Sequence, residues 1–328
     1  MGPIGRPDRV SRTTPTPDAG AAGAPAPGAF NPKELSVDRI AASPAQQTQR
    51  AASGGMAVSA LQAKLADAQA APRQASVSVP PYVGSQLDKN GVPADQKKEI
   101  ADAIKRGDYA EASSALDRTG KAGNELYDLK RQLDFNAKVV EDTGGAVTPG
   151  LPPKKAELQE YFATFEGDKQ AATKAADAFE RYGKAFHKHP GRDKEVDYGG
   201  EGPTSPDQAL PPARKVGADG KVVNDCEGFA VLGKDLLGKA GFEDAEFVAV
   251  RPEEEGGIGH LQLVASDENG CTIVVSNDNA EFVGLREDAE SALRRGADRD
   301  VLVGYRGKTI PEANTNARDQ VEDRIWKP

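Results

Sequence analysis

The chain has 328 residues, of which 38% are hydrophobic and 5% aromatic, and its net charge is −9. A chain this acidic, with a pI of about 5.1, is poorly suited to bind nucleic-acid phosphates or an anionic membrane. It contains no run of about eighteen apolar residues, which argues against a transmembrane helix. Its two cysteines are too few for a disulfide framework, and nothing around them suggests a zinc cluster.

The first predicted region, residues 1–79, is rich in Ala, Pro, Gly, Ser, Thr and Gln. Such a segment cannot bury enough apolar surface to offset chain entropy, so we expect a disordered low-complexity arm. Helical spacing of its few apolar residues predicts one short helix, Met56–Ala71. The arm lacks the apolar segment of a secretory signal, which predicts a cytoplasmic protein or one exported without a cleaved signal peptide. We interpret the arm either as a plain linker or as a docking segment for an export or chaperone partner.

The second predicted region, residues 80–189, is helical. Apolar residues recur there every three or four positions, with Lys and Glu on the other faces, as in helices that bury one side. We expect a small helical bundle that serves as a scaffold or as one wall of a substrate cleft. The predicted helices are Gln96–Lys105, Tyr109–Arg118, Glu125–Glu141, Ala156–Phe165 and Lys169–Phe186.

The third predicted region, residues 190–328, begins with a polar connection rich in Gly and Pro. Its first regular element is a helix that ends near Ala240. Asn224 or Asp225 can cap this helix, and either choice places Cys226 in the first turn. Backbone N–H groups at a helix N-terminus favour thiolate over thiol and can hold an oxyanion. The competing interpretation is that Cys226 is a small buried hydrophobic residue, as most free cysteines are.

Three strands are predicted after the Cys226 helix. His260 lies at the start of the second strand, and a run of Asn and Asp side chains follows the third. In a hairpin, these two positions lie at the same edge of the sheet. A helix packed across the sheet could present Cys226 at that edge. The predicted strands are Glu246–Val250, Ile258–Ala265 and Cys271–Ser276.

The register of the hairpin decides which side chain orients His260. A three-residue loop with Gly270 in the left-handed position sets His260 opposite Asp278. A two-residue turn instead sets it opposite Asn279. We favour Asp278, because a carboxylate both orients an imidazole and stabilises the imidazolium. Asn277 and Asn279 are the alternatives, since an amide is sufficient for orientation.

The segments DCEGFA, GHLQLVA and SNDN occur in this order within residues 222–283. Together they resemble the bacterial transglutaminase-like cysteine peptidases and the wider transglutaminase-like, papain-like superfamily. The resemblance implies an α+β fold in which a helix that carries the cysteine packs on an antiparallel sheet. It also implies that Cys226 is the nucleophile, His260 the base and Asp278 the orienting acid.

The implied function is thiol-dependent acyl transfer on amide bonds of a protein or peptide, as in a peptidase, deamidase or transglutaminase. No cofactor, metal, nucleic-acid or membrane partner is implied. Gly228 departs from the family pattern, and Glu227-Gly228-Phe229 is similar to a motif of papain-like bacterial cell-wall peptide hydrolases. The alternatives are therefore such a hydrolase, or a catalytically inactive interaction or adaptor protein that retains the fold.

The remaining chemistry-bearing side chains have simpler predicted roles. His187 and His189 are too few for a metal site and are interpreted as cations near a solvated helix end. Cys271 begins a strand and is interpreted as a packing residue. A C-terminal helix is expected from Ala313 onward, anchored by Trp326.

Overall fold

A computed structural model describes residues 77–123, 126–188, 205–211, 213–252, 260–296 and 302–319. Within these residues the fold is α+β: a set of helices precedes a five-stranded antiparallel sheet, and further helices cover both faces of that sheet. The predicted arm up to Ser76, the predicted helix Met56–Ala71 and Trp326 lie outside the described residues.

The helices before the sheet follow the apolar periodicity of the sequence closely. Tyr109–Arg118 was predicted to the residue, as were the helix ends at Lys105 and Phe186, and the remaining boundaries differ by one or two positions. One helix, Pro81–Lys89, was missed, although Pro81 stands at its first position, where the lost N–H costs nothing. The helices are α1 (Pro81–Lys89), α2 (Ala94–Lys105), α3 (Tyr109–Arg118), α4 (Tyr127–Asp142), α5 (Lys155–Ala163) and α6 (Ala171–Phe186).

The chain then forms a short parallel ribbon and the helix that carries Cys226. The ribbon consists of β1 (His187–Lys188) and β2 (Val222–Val223), and the short helix α7 (Pro206–Ala209) lies between its strands in the chain. Helix α8 (Cys226–Lys239) follows β2 after two residues. The ribbon therefore leads the chain directly into the first turn of α8.

The main sheet has the strand order β6-β5-β4-β3-β7, and every neighbouring pair is antiparallel. A 3₁₀ turn at Arg286–Asp288 follows β6. The remaining elements are β3 (Asp244–Pro252), β4 (His260–Ser266), β5 (Cys271–Ser276), β6 (Asn279–Leu285), α9 (Ala289–Gly296), β7 (Leu302–Gly307) and α10 (Ile310–Asp319).

The two faces of the sheet bury different cores. On one face, side chains such as Leu263 and Val275 pack on α8, and this cluster continues into the earlier helices as far as Val83. On the other face, Val264 and Val274 pack on α9 in a small separate cluster. Because side chains alternate along a strand, each strand contributes to both cores. The earlier helices and the α8 face of the sheet thus share one apolar core.

No helix among the described residues is long and apolar enough to cross a membrane.

Candidate functional site

Cys226 occupies the first position of α8. The side chain of Asp225 is the N-cap and accepts a hydrogen bond of 3.0 Å from the backbone N–H of Gly228. This bond satisfies one of the N–H groups that a helix start leaves without an intrahelical partner. The cap is therefore Asp225, one of the two candidates, Asn224 and Asp225. The half-buried Cys226 lies in the first turn as predicted.

A buried polar pair lies beneath this helix start. Asn224 is fully buried, and its Nδ2 donates a 2.9 Å hydrogen bond to the carbonyl of Ala209 and lies 2.9 Å from His187 Nδ1. A Cβ atom at Gly228 would come within 2.7 Å of Asn224 Oδ1. Gly228 therefore leaves room for the amide of Asn224, which explains the small residue in the DCEGF motif.

His187 is not the solvated cation that the sequence predicted. It is buried, with its ring edge-on to the rings of Tyr182 and Phe229 at centroid distances of 5.0 and 5.5 Å. Burial, aided by the charge of Lys221, lowers the pKa of His187 to about 3, so the ring is neutral near pH 7. The error arose because β2 and α8, which are distant in sequence, cover the end of α6. His189 lies outside the described residues.

The thiol of Cys226 is protonated at neutral pH, contrary to the expectation from its helix position. Burial raises its pKa to about 11, and the carboxylates of Asp225 and Glu227 act in the same direction. Backbone hydrogen bonds from Leu261 and Glu227 favour the thiolate, but they do not outweigh the loss of hydration. The helix start therefore does not by itself make this thiol reactive.

The hairpin of β4 and β5 has the three-residue loop, one of the two loops that the sequence allowed. The N–H of Asp267 donates a 3.0 Å hydrogen bond to the carbonyl of Cys271, and Gly270 adopts a φ of +83°. The ladder pairs Ser266 with Thr272 and runs on in the same register to Leu263. Extended to the end of β4, this register sets His260 opposite Asp278.

The chain turns before Asp278 can face His260. Strand β5 ends at Ser276, which pairs with Asn279 of β6, so Asn277 and Asp278 form a two-residue turn in which Asn277 has a φ of +53°. The backbone of Asp278 lies against α6, where a Cβ at Gly183 would be 3.1 Å from Asp278 Cα. The carboxylate of Asp278 makes no hydrogen bond or ion pair with the residues that the structure describes.

Neither Asn277 nor Asn279, the two amide alternatives, orients His260. Asn279 is exposed at the start of β6. Asn277 Oδ1 is buried and has no hydrogen-bond partner in the described part of the chain. All three candidates therefore lie in or beside one tight turn, and that turn gives none of them a hydrogen bond to His260.

Ser276 is one partner of His260 in the structure. Its Oγ lies 2.9 Å from His260 Nε2 and donates a 3.0 Å hydrogen bond to the carbonyl of Gly296, at the end of α9. Ser276 is one diagonal step from His260 across the hairpin, within reach of a long side chain on the same face. This contact was missed because Ser276 was assigned only as the last residue of a strand.

Cys226 and His260 both lie near the first residues of β4. The backbone N–H of Leu261, the residue after His260, lies close enough to the sulfur to lower the pKa of the thiol. The imidazole is bonded to Ser276, whose neighbour Val274 on the same face packs against α9. No hydrogen bond joins the sulfur to the imidazole in the described residues. Direct proton transfer between them requires the ring to rotate around the end of β4.

A cavity away from Cys226 and His260 could hold a ligand. Among the described residues, no group of three or more His, Cys, Asp or Glu side chains is arranged to bind a metal ion. A cavity of about 550 Å³ lies between α4, α5 and α6, with Tyr161 and Phe165 in its wall. Charged side chains at its rim form ion pairs with one another, such as Lys138 with Asp142 at 2.7 Å. The cavity is lined by neither Cys226 nor His260.

Comparison with known proteins adds no assignment. No protein-family model, curated protein or solved structure matches the chain.

Proposed function

We propose that the chain is a thiol-dependent acyl-transfer enzyme that acts on amide bonds, with Cys226 as nucleophile and His260 as base. One observation carries the proposal: the sulfur, in the capped first turn of α8, lies close enough to the backbone N–H of Leu261, the residue next to His260, for that N–H to favour the thiolate. A nucleophile and a base at one strand end, beside a helix N-terminus, are the components of a cysteine acyl-transfer site. The papain-like or transglutaminase-like identity of the core belongs to this proposal.

The reaction follows from these groups. His260 takes the proton of Cys226, and the sulfur attacks the carbonyl carbon of a bound amide. Backbone N–H groups in the first turn of α8 stabilise the oxyanion, and the imidazolium protonates the departing amine. The thioester then passes to water, which yields an acid, or to a primary amine, which yields a new amide. In either case His260 accepts the proton of the attacking molecule, and the free thiol is restored.

The raised pKa of Cys226 makes His260 indispensable to this mechanism. A thiol with a pKa near 11 is almost entirely protonated at pH 7. Nucleophilic attack therefore needs a base that removes the proton as the bond forms, or an imidazolium that stabilises the thiolate. The rotation of His260 towards the sulfur supplies both. Catalytic hydrogen bonds are often loose without substrate and tighten when it binds.

The test is the rate at which iodoacetamide labels each cysteine of the full-length chain, measured by peptide mass spectrometry from pH 5 to pH 10. We expect Cys226 to label well below about pH 8, and His260→Ala to slow that labelling at least roughly tenfold. Cys271, whose pKa is also raised by burial, is the internal control, and its rate should not change. The proposal fails if Cys226 labels only as the pH approaches 11 and is indifferent to His260→Ala.

The acceptor is tested separately. The chain is incubated with a glutamine-rich protein and a fluorescent primary amine. Covalent incorporation that is lost in Cys226→Ser indicates transamidation, whereas release of ammonia or of a new amino terminus indicates hydrolysis. A protein or peptide substrate is the chemistry proposed in each case.

A non-catalytic interaction protein that retains the fold is the second candidate. The specific observation in its favour is that the thiol is buried, with a raised pKa, while the imidazole is bonded to Ser276. This candidate predicts that Cys226→Ser and His260→Ala fold normally and leave partner binding unchanged. Labelling of Cys226 that follows its raised pKa, with no dependence on His260, supports it.

A further inference from the structure

The cavity between α4, α5 and α6 has the size and the wall of a small-molecule site. Its volume of about 550 Å³ falls within the range of about 300–1,000 Å³ that such sites occupy. The rings of Tyr161 and Phe165 lie edge to face in its wall, with centroids 4.9 Å apart. Four residues of the wall are at most 4% exposed, so the core holds them in place: Val147, Tyr161, Phe165 and Ala178. The wall therefore suits an apolar or aromatic group.

Two helices end at this cavity. Asp142 and Thr143, the last residue of α4 and its C-cap, line it, and so do Ala163 and Thr164, the last residue of α5 and its C-cap. The C-terminal end of a helix carries a partial negative charge that favours a cation. A basic side chain in the last turn would offset this charge, but neither α4 nor α5 has one there. The cavity thus lies beside two negative helix ends.

The charged side chains at the rim leave one carboxylate without a partner. Three cations line the cavity, and each forms an ion pair with a carboxylate of the rim: Lys138 with Asp142 at 2.7 Å, Lys174 with Asp168 at 2.5 Å, and Arg181 with Asp177 at 3.0 Å. The fourth carboxylate, that of Glu160, forms no ion pair with the residues that the structure describes. An anionic ligand would find each of these three cations already neutralised, whereas a cationic ligand can pair with Glu160.

We propose that this cavity binds a small organic cation, an amine or a quaternary ammonium ion that carries an apolar or aromatic group. The apolar group packs on Tyr161 and Phe165, whose rings also attract a positive charge. The charge lies at the rim, near Glu160 and the ends of α4 and α5. Neither Cys226 nor His260 lines the cavity, so this site does not depend on the proposed function.

The first experiment varies only the charge of the ligand. Phenylbutylamine, phenylbutanol and phenylbutyrate are each titrated into the full-length chain at pH 7, and binding is measured by calorimetry. We expect the amine to bind roughly tenfold more tightly than the alcohol, because of the two helix ends and the unpaired carboxylate, and the phenylbutyrate anion to bind most weakly. Equal affinity for the amine and the alcohol, tighter binding of phenylbutyrate, or no binding of the amine at millimolar concentration overturns the proposal.

The second experiment locates the bound amine. Ala146 lines the cavity from an exposed position, so Ala146→Phe fills the space without removing a buried contact and should weaken binding of phenylbutylamine at least roughly tenfold. Glu160→Gln should weaken binding of the amine roughly threefold and leave that of phenylbutanol unchanged. Glu166→Gln is the matched control, because Glu166 is also exposed but does not line the cavity.

Thermal unfolding of each variant without ligand checks that it folds like the wild type. Binding of the amine that survives Ala146→Phe in a folded chain overturns the location of the site. Equal losses in Glu160→Gln and Glu166→Gln overturn the role of Glu160, since they would reflect only the net charge of the chain.

Discussion

The two faces of the main sheet are built on different chemistry although they share the same strands. On the α8 face, β4 and β5 contribute only apolar side chains, among them Leu263 and Ile273, and these join the large core. On the α9 face, the same strands bury Gln262, Ser276 and Thr272 next to a small apolar cluster. The first face buries the larger apolar cluster, and the second buries polar side chains beside a smaller one.

This difference explains how the sheet can hold buried polar side chains on one of its faces. A hydrogen bond between buried polar groups contributes little net stability, because folding exchanges it for bonds to water. The α9 face therefore depends on the burial that α8 provides on the opposite side. The candidate site lies where the two faces meet, with Cys226 from α8 and His260 on the strand end.

The largest expected effect comes from the same substitution on each face. Leu236→Ala on α8 and Leu293→Ala on α9 both remove a buried leucine, exposed by 0% and 1%. We expect costs of about 4–5 kcal/mol for Leu236 and about 2–3 kcal/mol for Leu293, because the larger cluster leaves the larger residual cavity. Urea unfolding measures both.

Leu285→Ala on β6 is the control for these variants, because that side chain is 50% exposed and its loss should change little. Equal losses in the free energy of unfolding for Leu236→Ala and Leu293→Ala would contradict the difference between the two faces.

The next effect is the acid sensitivity of His187, which supports the start of α8. Its pKa of about 3 in the folded chain lies below the value of 6.5 for an exposed imidazole, so the unfolded chain binds the additional proton between these limits. Stability is therefore complete above about pH 6.5 and falls as the pH decreases towards 3. Each pH unit is worth about 1.4 kcal/mol, so lowering the pH from 7 to 4 should cost about 3 kcal/mol from this group.

His187→Phe provides the comparison, since a phenyl ring suits the aromatic surroundings but cannot titrate. Unfolding curves from pH 4 to pH 7 should be flatter for this variant by that amount, after its constant cost is subtracted. Parallel curves for the two proteins would mean that His187 is not the buried neutral ring that the structure places there.

The smallest effect separates two glycines of α8. Gly228→Ala forces a methyl group against Asn224 Oδ1, and we expect a loss of about 1–3 kcal/mol. Gly238→Ala, in the same helix, has no atom within 4 Å of the new methyl group and should stabilise the chain by about 0.4–1 kcal/mol. Thermal unfolding measures the expected loss of stability in Gly228→Ala and the expected gain in Gly238→Ala. A neutral Gly228→Ala would show that the Asn224 amide is free to move.

The sequence predicted the elements whose signals are local. Apolar periodicity located Tyr109–Arg118, the capping residues located Cys226 in the first turn, and the residues before Cys271 restricted the hairpin loop to two alternatives, of which the structure adopts the three-residue loop. Each of these depends on residues within a few positions of one another. The α+β class followed from the same signals.

The parts that could not be predicted depend on contacts between distant segments. His187 is buried because β2 pairs with β1, 35 positions earlier in the chain, and because Phe229 covers the ring. Strand β5 ends at Ser276 because β6 turns back at once, and Asn277-Asp278 is a turn signal that was interpreted as a strand end. The same early turn took Asp278 away from His260 and left that place to Ser276.

The close approach of Gly183 to Asp278 links the helical half of the chain to the geometry of the site. The hairpin tip rests on bare backbone of α6, so any side chain at position 183 would push the tip outward and carry the end of β5 with it. A substitution at Gly183, more than forty positions before Cys226, would then displace the strand that holds the partner of His260 without contacting Cys226 or His260. Loss of function caused by such a substitution in the earlier helices would therefore indicate that the site is misaligned, and it would not identify a docking surface.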